Sequence, residues 1–95
     1  MTRKEILAAA EKCVCGDREQ DYGSPENNFN TIARMWAAYL HALKMAQGGG
    51  EFKLMAKDVA AMLALLKIAR IASGHAKADN WIDLAGYAAC GGELE

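Results

Sequence analysis

The sequence predicts an all-α fold, a small antiparallel four-helix bundle that assembles as an oligomer. Three observations carry this expectation. Hydrophobic residues make up 53% of the 95 residues, yet Phe, Trp and Tyr supply only 7%. The apolar content is therefore mostly Ala, Leu, Ile and Met, which favour helix over sheet. Apolar positions recur at helical spacing in four stretches separated by Gly, Pro and polar residues, and no strand-like alternation competes with them.

The first helix has a defined start. Thr2 is an N-cap candidate and Glu5 stands three residues on, the arrangement of a capping box. Ile6, Ala9, Ala10 and Cys13 form its apolar face, and Gly16 is expected to end it. A polar linker follows, Asp17-Arg18-Glu19-Gln20-Asp21-Tyr22-Gly23. Ser24 then caps a second helix whose first position is Pro25, where the missing N–H costs nothing. Phe29, Ile32, Ala33, Trp36, Leu40 and Leu43 line one of its faces, and Gly48-Gly49-Gly50 stops it. The third helix is expected from about Phe52 or Leu54 to Ser73. Its apolar residues, Val59, Met62, Leu63, Leu65, Leu66, Ile68 and Ile71, spread nearly all the way round. A helix of that kind is buried on all sides, so neighbouring subunits are expected to supply part of its cover. The fourth helix begins near Ala78 and is expected to stop at Gly91-Gly92. Trp36, Trp81, Tyr39 and Phe29 read as core.

The chain reads as one domain, 1–95, too short to bury much of its surface alone. So much apolar side chain on so little protein points to a homo-oligomer. A net charge of −1 argues against a nucleic-acid-binding arm or a basic membrane patch. Lys57, Asp58, Lys67 and Arg70 break the longest apolar run below transmembrane length, and the N-terminus lacks a signal-peptide apolar core. Cys13, Cys15 and Cys90 are odd in number and the first two stand too close to suit a standard bridge, so they read as small, mostly buried thiols in a reducing cytoplasm. Leu94-Glu95 has the look of an expression-vector remnant and is given no structural weight.

The chemistry-bearing stretch is Asp79-Asn80-Trp81-Ile82-Asp83-Leu84-Ala85-Gly86-Tyr87. Asp79, Asp83 and Tyr87 recur at i, i+4 and i+8 and so share one stripe of a helix. Two carboxylates one turn apart can share a divalent cation, with Asp58 approaching from the third helix. Alternatively Asp79 caps the fourth helix and Asp83 pairs with Lys67 or Arg70. Lys67 lies about 180° round the third helix from Asp58, and Arg70 about 120°. These three therefore cannot converge on one small ligand unless a second subunit contributes. Lys67 and Arg70 face one way and could grip phosphate together, or lie flat over apolar neighbours. In the linker, Arg18 could bind phosphate and Tyr22 could stack on a base. The competing reading has the linker acids making local turns and Tyr22 plugging the bundle end.

Two segments carry a resemblance. Asp17-Arg18 through Asp21-Tyr22-Gly23, with Asn28-Phe29 and Ile32-Ala33-Arg34-Met35-Trp36, resembles the N-terminal signature of small phage and prophage proteins of unassigned function. Asp58-Val59-Ala60 through Lys67-Ile68-Ala69-Arg70, and then Asp79 to Tyr87, resembles that family's second half. More distantly, the chain is similar to the all-α nucleoside triphosphate pyrophosphohydrolases of the MazG and dimeric dUTPase type. That resemblance implies a dimer or tetramer that binds a nucleotide in the cytoplasm of a bacterial host. It implies magnesium held by Asp58, Asp79 and Asp83, with Asp79 and Asp83 as the catalytic acids. Arg18, Tyr22, Lys67 and Arg70 would then hold the nucleotide. The family's first acid pair, spaced E-x-x-E, has no counterpart here. The expectation thus divides between a magnesium-dependent hydrolase, a nucleotide binder without turnover, and a structural or adaptor module.

Overall fold

The computed structural model describes the backbone of residues 1–17, 25–74 and 77–95, and the side chains of 1–16, 29–74 and 77–95. Helix α1 spans Arg3–Lys12, α2 Pro25–Ala46, α3 Ala56–Ala72 and α4 Ala78–Leu94, and no strand occurs among the described residues. The all-α class and the four helices agree with the sequence.

Each boundary has a local cause. The Thr2 side chain accepts the Glu5 N–H at 3.2 Å and so caps α1. The α-helix gives way after Lys12 to a π-helical turn, Cys13–Asp17, rather than continuing to Gly16. Helix α2 begins at Pro25, as the sequence implies. It ends in a turn where Gly48 and Gly49 adopt φ of 104° and 86°, a region that side chains with a Cβ seldom enter. The start of α3 lies later than Phe52 or Leu54. Asp58 accepts the Met55 N–H through Oδ2 at 2.8 Å, which satisfies an orphan donor and sets the first turn at Ala56. Helix α4 passes straight through Gly91-Gly92. A Cβ added at Gly91 would lie 3.3 Å from the Ala60 Cβ, so the glycine serves close packing of α4 on α3 and does not end the helix.

Helix α3 is the middle element. Trp36 donates its indole N–H to the Met62 carbonyl at 2.8 Å, and Tyr39 reaches Asp58. As the α2 number rises the α3 number falls, so the two run antiparallel. On the other flank Gly91 meets Ala60 and Asp83 meets Lys67, again with opposed numbering. Helices α2, α3 and α4 thus form an antiparallel array with α3 between its neighbours. None of the residues of α1 is buried.

The packing inside one chain is thin. Among the described residues, the buried hydrophobic ones are Ile32, Ala60 and Ala69, and they are matched by buried Asp58, Lys67 and Asn80. Val59 and Ile68 remain exposed, so a single chain does not bury α3 on every side. Phe29 and Trp81 are exposed rather than core, and so are all three cysteines. The sequence rule fails there because amphipathic patterning gives the face a residue occupies but not whether a neighbour covers it.

Candidate functional site

The two buried charges of α3 serve opposite neighbours. Nine residues separate Asp58 from Lys67, half a turn in angle and about 13 Å in rise. Asp58 turns toward α2, where Tyr39 donates its hydroxyl to Oδ1 at 2.6 Å while the Met55 N–H occupies Oδ2. The Tyr39 hydrogen bond, then the Met55 N–H and the nearby Lys57 ammonium, hold the Asp58 carboxyl below the usual carboxylate range. The same hydrogen bond, helped by burial, pushes the Tyr39 phenol up to about 12. At neutral pH the pair is therefore a carboxylate with a phenol donor.

Lys67 turns toward α4. Its Nζ lies 2.8 Å from Asp83 Oδ2, with the lysine nearly covered and the aspartate partly open to solvent. This realises the pairing reading of Asp83. Asp79 is exposed in the first turn of α4, whose N-cap is Lys77. It therefore does not cap the helix but sits where the helix dipole favours an acid.

The acids proposed for magnesium are not brought together within one chain. Asp83 is held at Lys67, and Asp58 lies about 13 Å along α3 from that lysine. Among the described residues, no group of three or more His, Cys, Asp or Glu side chains is placed to share an ion. The residues of a single chain thus do not fit a magnesium ion held by Asp58, Asp79 and Asp83 together. Lys67 is committed to Asp83, so it is not displayed with Arg70 as a phosphate grip. Arg70 is half-buried, and its carbonyl accepts the Ser73 hydroxyl at 2.6 Å. Arg18 and Tyr22 lie outside the described residues.

What the structure does assemble is a groove of about 570 Å³ across all three packed helices. It is lined by Tyr39 and Leu43 of α2, Lys57, Asp58 and Ala61 of α3, and Tyr87 of α4, among others. Lys57 pairs with Glu95 at its rim, at 3.2 Å. Sequence reasoning missed Tyr39 and Lys57 as neighbours of Asp58. The one available signal was Asp58 itself, an acid at the N-terminal end of an apolar helix. It also gave Asn80 no role, although that side chain is fully buried at the start of α4.

Comparison with known proteins places the chain in a family. Residues 5–95 match the family described as Domain of unknown function (DUF6378). The chain belongs to that family. Among curated relatives it is similar to the Gene 55 protein of Mycobacterium phage L5, with 42% identity over 83 residues, 87% of this chain and 47% of that protein. It is also similar to the Gene 55 protein of Mycobacterium phage D29, with 34% identity over 87 residues, 92% of this chain and 51% of that protein. The chain thus spans about half the length of the curated relatives it matches. No solved structure matches it. The phage-family resemblance read from Asp17 onward agrees with these matches. Among the described residues, no helix is long and apolar enough to cross a membrane.

Proposed function

We propose that this chain is a phage-type nucleotide-binding protein, acting in the host cytoplasm, whose ligand sits in the groove between Tyr39, Asp58 and Tyr87. The observation that carries the reading is the convergence of an ionised, nearly buried carboxylate, a lysine and two tyrosines on one groove. A concave site of several hundred Å³ with a few convergent polar groups is the usual form of a small-molecule site. Tyr87 offers a face on which a base can stack, and Lys57 offers a cation for phosphate by exchanging its solvent-exposed partner Glu95, a weak pair unlike the nearly covered Lys67–Asp83. Asp58 can accept an N–H or O–H donor of the ligand through its remaining lone pairs.

Binding without turnover is favoured over hydrolysis, because the acids a metal-assisted reaction needs stand apart within one chain. Magnesium at Asp79 and Asp83 would require further oxygen ligands from phosphate, water or a second copy. The structural reading has its own support, since Lys67–Asp83 and Tyr39–Asp58 both tie helices together.

The test pairs thermal shift with pyrophosphate release, using ribo- and deoxyribonucleoside triphosphates with and without magnesium. A binder at a hundredfold excess over Kd gains about 2.7 kcal/mol of stability, and Lys57→Met should erase that rise. Pyrophosphate release that Asp83→Ala abolishes, with the fold intact, would replace the binder by a hydrolase. No shift and no release with any nucleotide would leave the structural module.

A further inference from the structure

The charge of the groove limits how much phosphate a ligand can bring into it. Among the described residues of its lining, Lys57 is the single cation, and Asp58 and Glu95 are the acids. Asp58 follows Lys57 in the chain and is ionised at neutral pH. Glu95 lies within the stretch that matches the family, and its Oε1 stands 3.2 Å from the Lys57 Nζ. Two acids to one cation leave the lining with a net negative charge.

The walls offer no second anchor for an anion. Ala60 and Ala61 of α3, and Ala88 and Gly91 of α4, lie beyond the first turns of their helices. Their N–H groups are engaged in intrahelical hydrogen bonds, so they cannot cradle phosphate as a glycine-rich loop does. Nor do the acids gather to hold a divalent ion on a phosphate chain. Asp58 serves Tyr39 and Met55, and Asp83 serves Lys67.

The groups also follow an order along the groove. Gly91 packs at the level of Ala60 and Glu95 at the level of Lys57. Tyr87 therefore stands level with Ala64, about 10 Å along the helix axes from Lys57. A base stacked on Tyr87 and its sugar fill that length, and the first phosphate arrives at Lys57. Any further phosphate lies past Lys57, at the rim that Glu95 occupies.

Resting on the reading that this groove binds a nucleotide, we infer that its ligand is a nucleoside monophosphate and that the groove discriminates against the triphosphate. One phosphate matches one lysine, which it takes over from Glu95. A second and a third phosphate add negative charge beside two carboxylates, with no cation to meet it. A monophosphate also has no phosphoanhydride to cleave, which agrees with acids committed to holding helices together.

Isothermal titration calorimetry of the whole chain tests the inference, at low salt so that charge is little screened. The probes are the four ribonucleosides, their 5′-monophosphates and their triphosphates, first without magnesium. The best-bound monophosphate should bind at least roughly tenfold more tightly than its own triphosphate. Lys57→Met should bring that monophosphate down to the affinity of its nucleoside. Glu95→Gln, at an exposed position, should tighten the triphosphate more than the monophosphate, because the rim loses its charge. Magnesium should narrow the gap without closing it. A triphosphate that binds as tightly as its monophosphate, with or without magnesium, overturns the inference and leaves the nucleotide reading in place. A preference that Glu95→Gln leaves unaltered does the same. Absence of binding by every nucleoside and nucleotide overturns both, as does monophosphate binding that Lys57→Met leaves unchanged.

Discussion

Tyr39 of α2 donates its hydroxyl to Asp58 of α3 at 2.6 Å, and Asp58 in turn accepts the Met55 N–H. One carboxylate therefore starts a helix and fastens it to its neighbour. Tyr39→Phe keeps the ring but removes the donor, so it should lower the melting temperature by about 4–8 °C. Asp58→Ala should cost more, because it also frees the Met55 N–H. A calorimetric scan in which the two variants melt together with the wild type would discredit the clamp.

The same pair sets two pH limbs. The Asp58 carboxyl is held below its ordinary value, so its contribution is present above about pH 3.9. It is lost as pH falls through the folded value. The Tyr39 phenol is raised to about 12, so its contribution is full below about pH 10 and is lost as pH climbs through about 12. Denaturant midpoints measured from pH 2 to pH 12 should show both limbs, and the alkaline one should flatten in Tyr39→Phe.

Lys67 and Asp83 make an asymmetric ion pair, one partner nearly covered and the other partly open. Removing the acid strands a covered ammonium, so Asp83→Ala should destabilise by about 1–3 kcal/mol. Replacing both together, Lys67→Met with Asp83→Leu, should be close to neutral. Urea titrations of the two variants decide this. An Asp83→Ala variant as stable as the wild type would mean that the acid serves a ligand rather than the fold.

The glycines of α4 should behave differently although they share one helix. Nothing lies within 4 Å of a Cβ at Gly86 or Gly92, so Ala there should stabilise by about 0.5–1 kcal/mol each. At Gly91 the Ala60 methyl stands 3.3 Å from an added Cβ. Gly91→Val should therefore force α4 from α3 and cost about 1–3 kcal/mol. Equal thermal shifts at all three positions would contradict the close approach.

By itself the sequence determined what is local. Period, composition and punctuation gave four helices, and Thr2 and Pro25 marked two of their starts, because caps and propensities act within a few residues. It also placed Asp58 and Lys67 on opposite sides of α3, since a helix converts number into angle. The tertiary structure decided which neighbour each side met. Asp58 found Tyr39 nineteen positions earlier in the chain, Lys67 found Asp83, and Gly91 found the Ala60 methyl instead of ending its helix. Packing between helices follows from crossing geometry and small-residue contacts, which spacing along a single helix does not encode. For that reason the acids that look like one set along the chain are held apart in space, with Asp83 at Lys67, about 13 Å along α3 from Asp58.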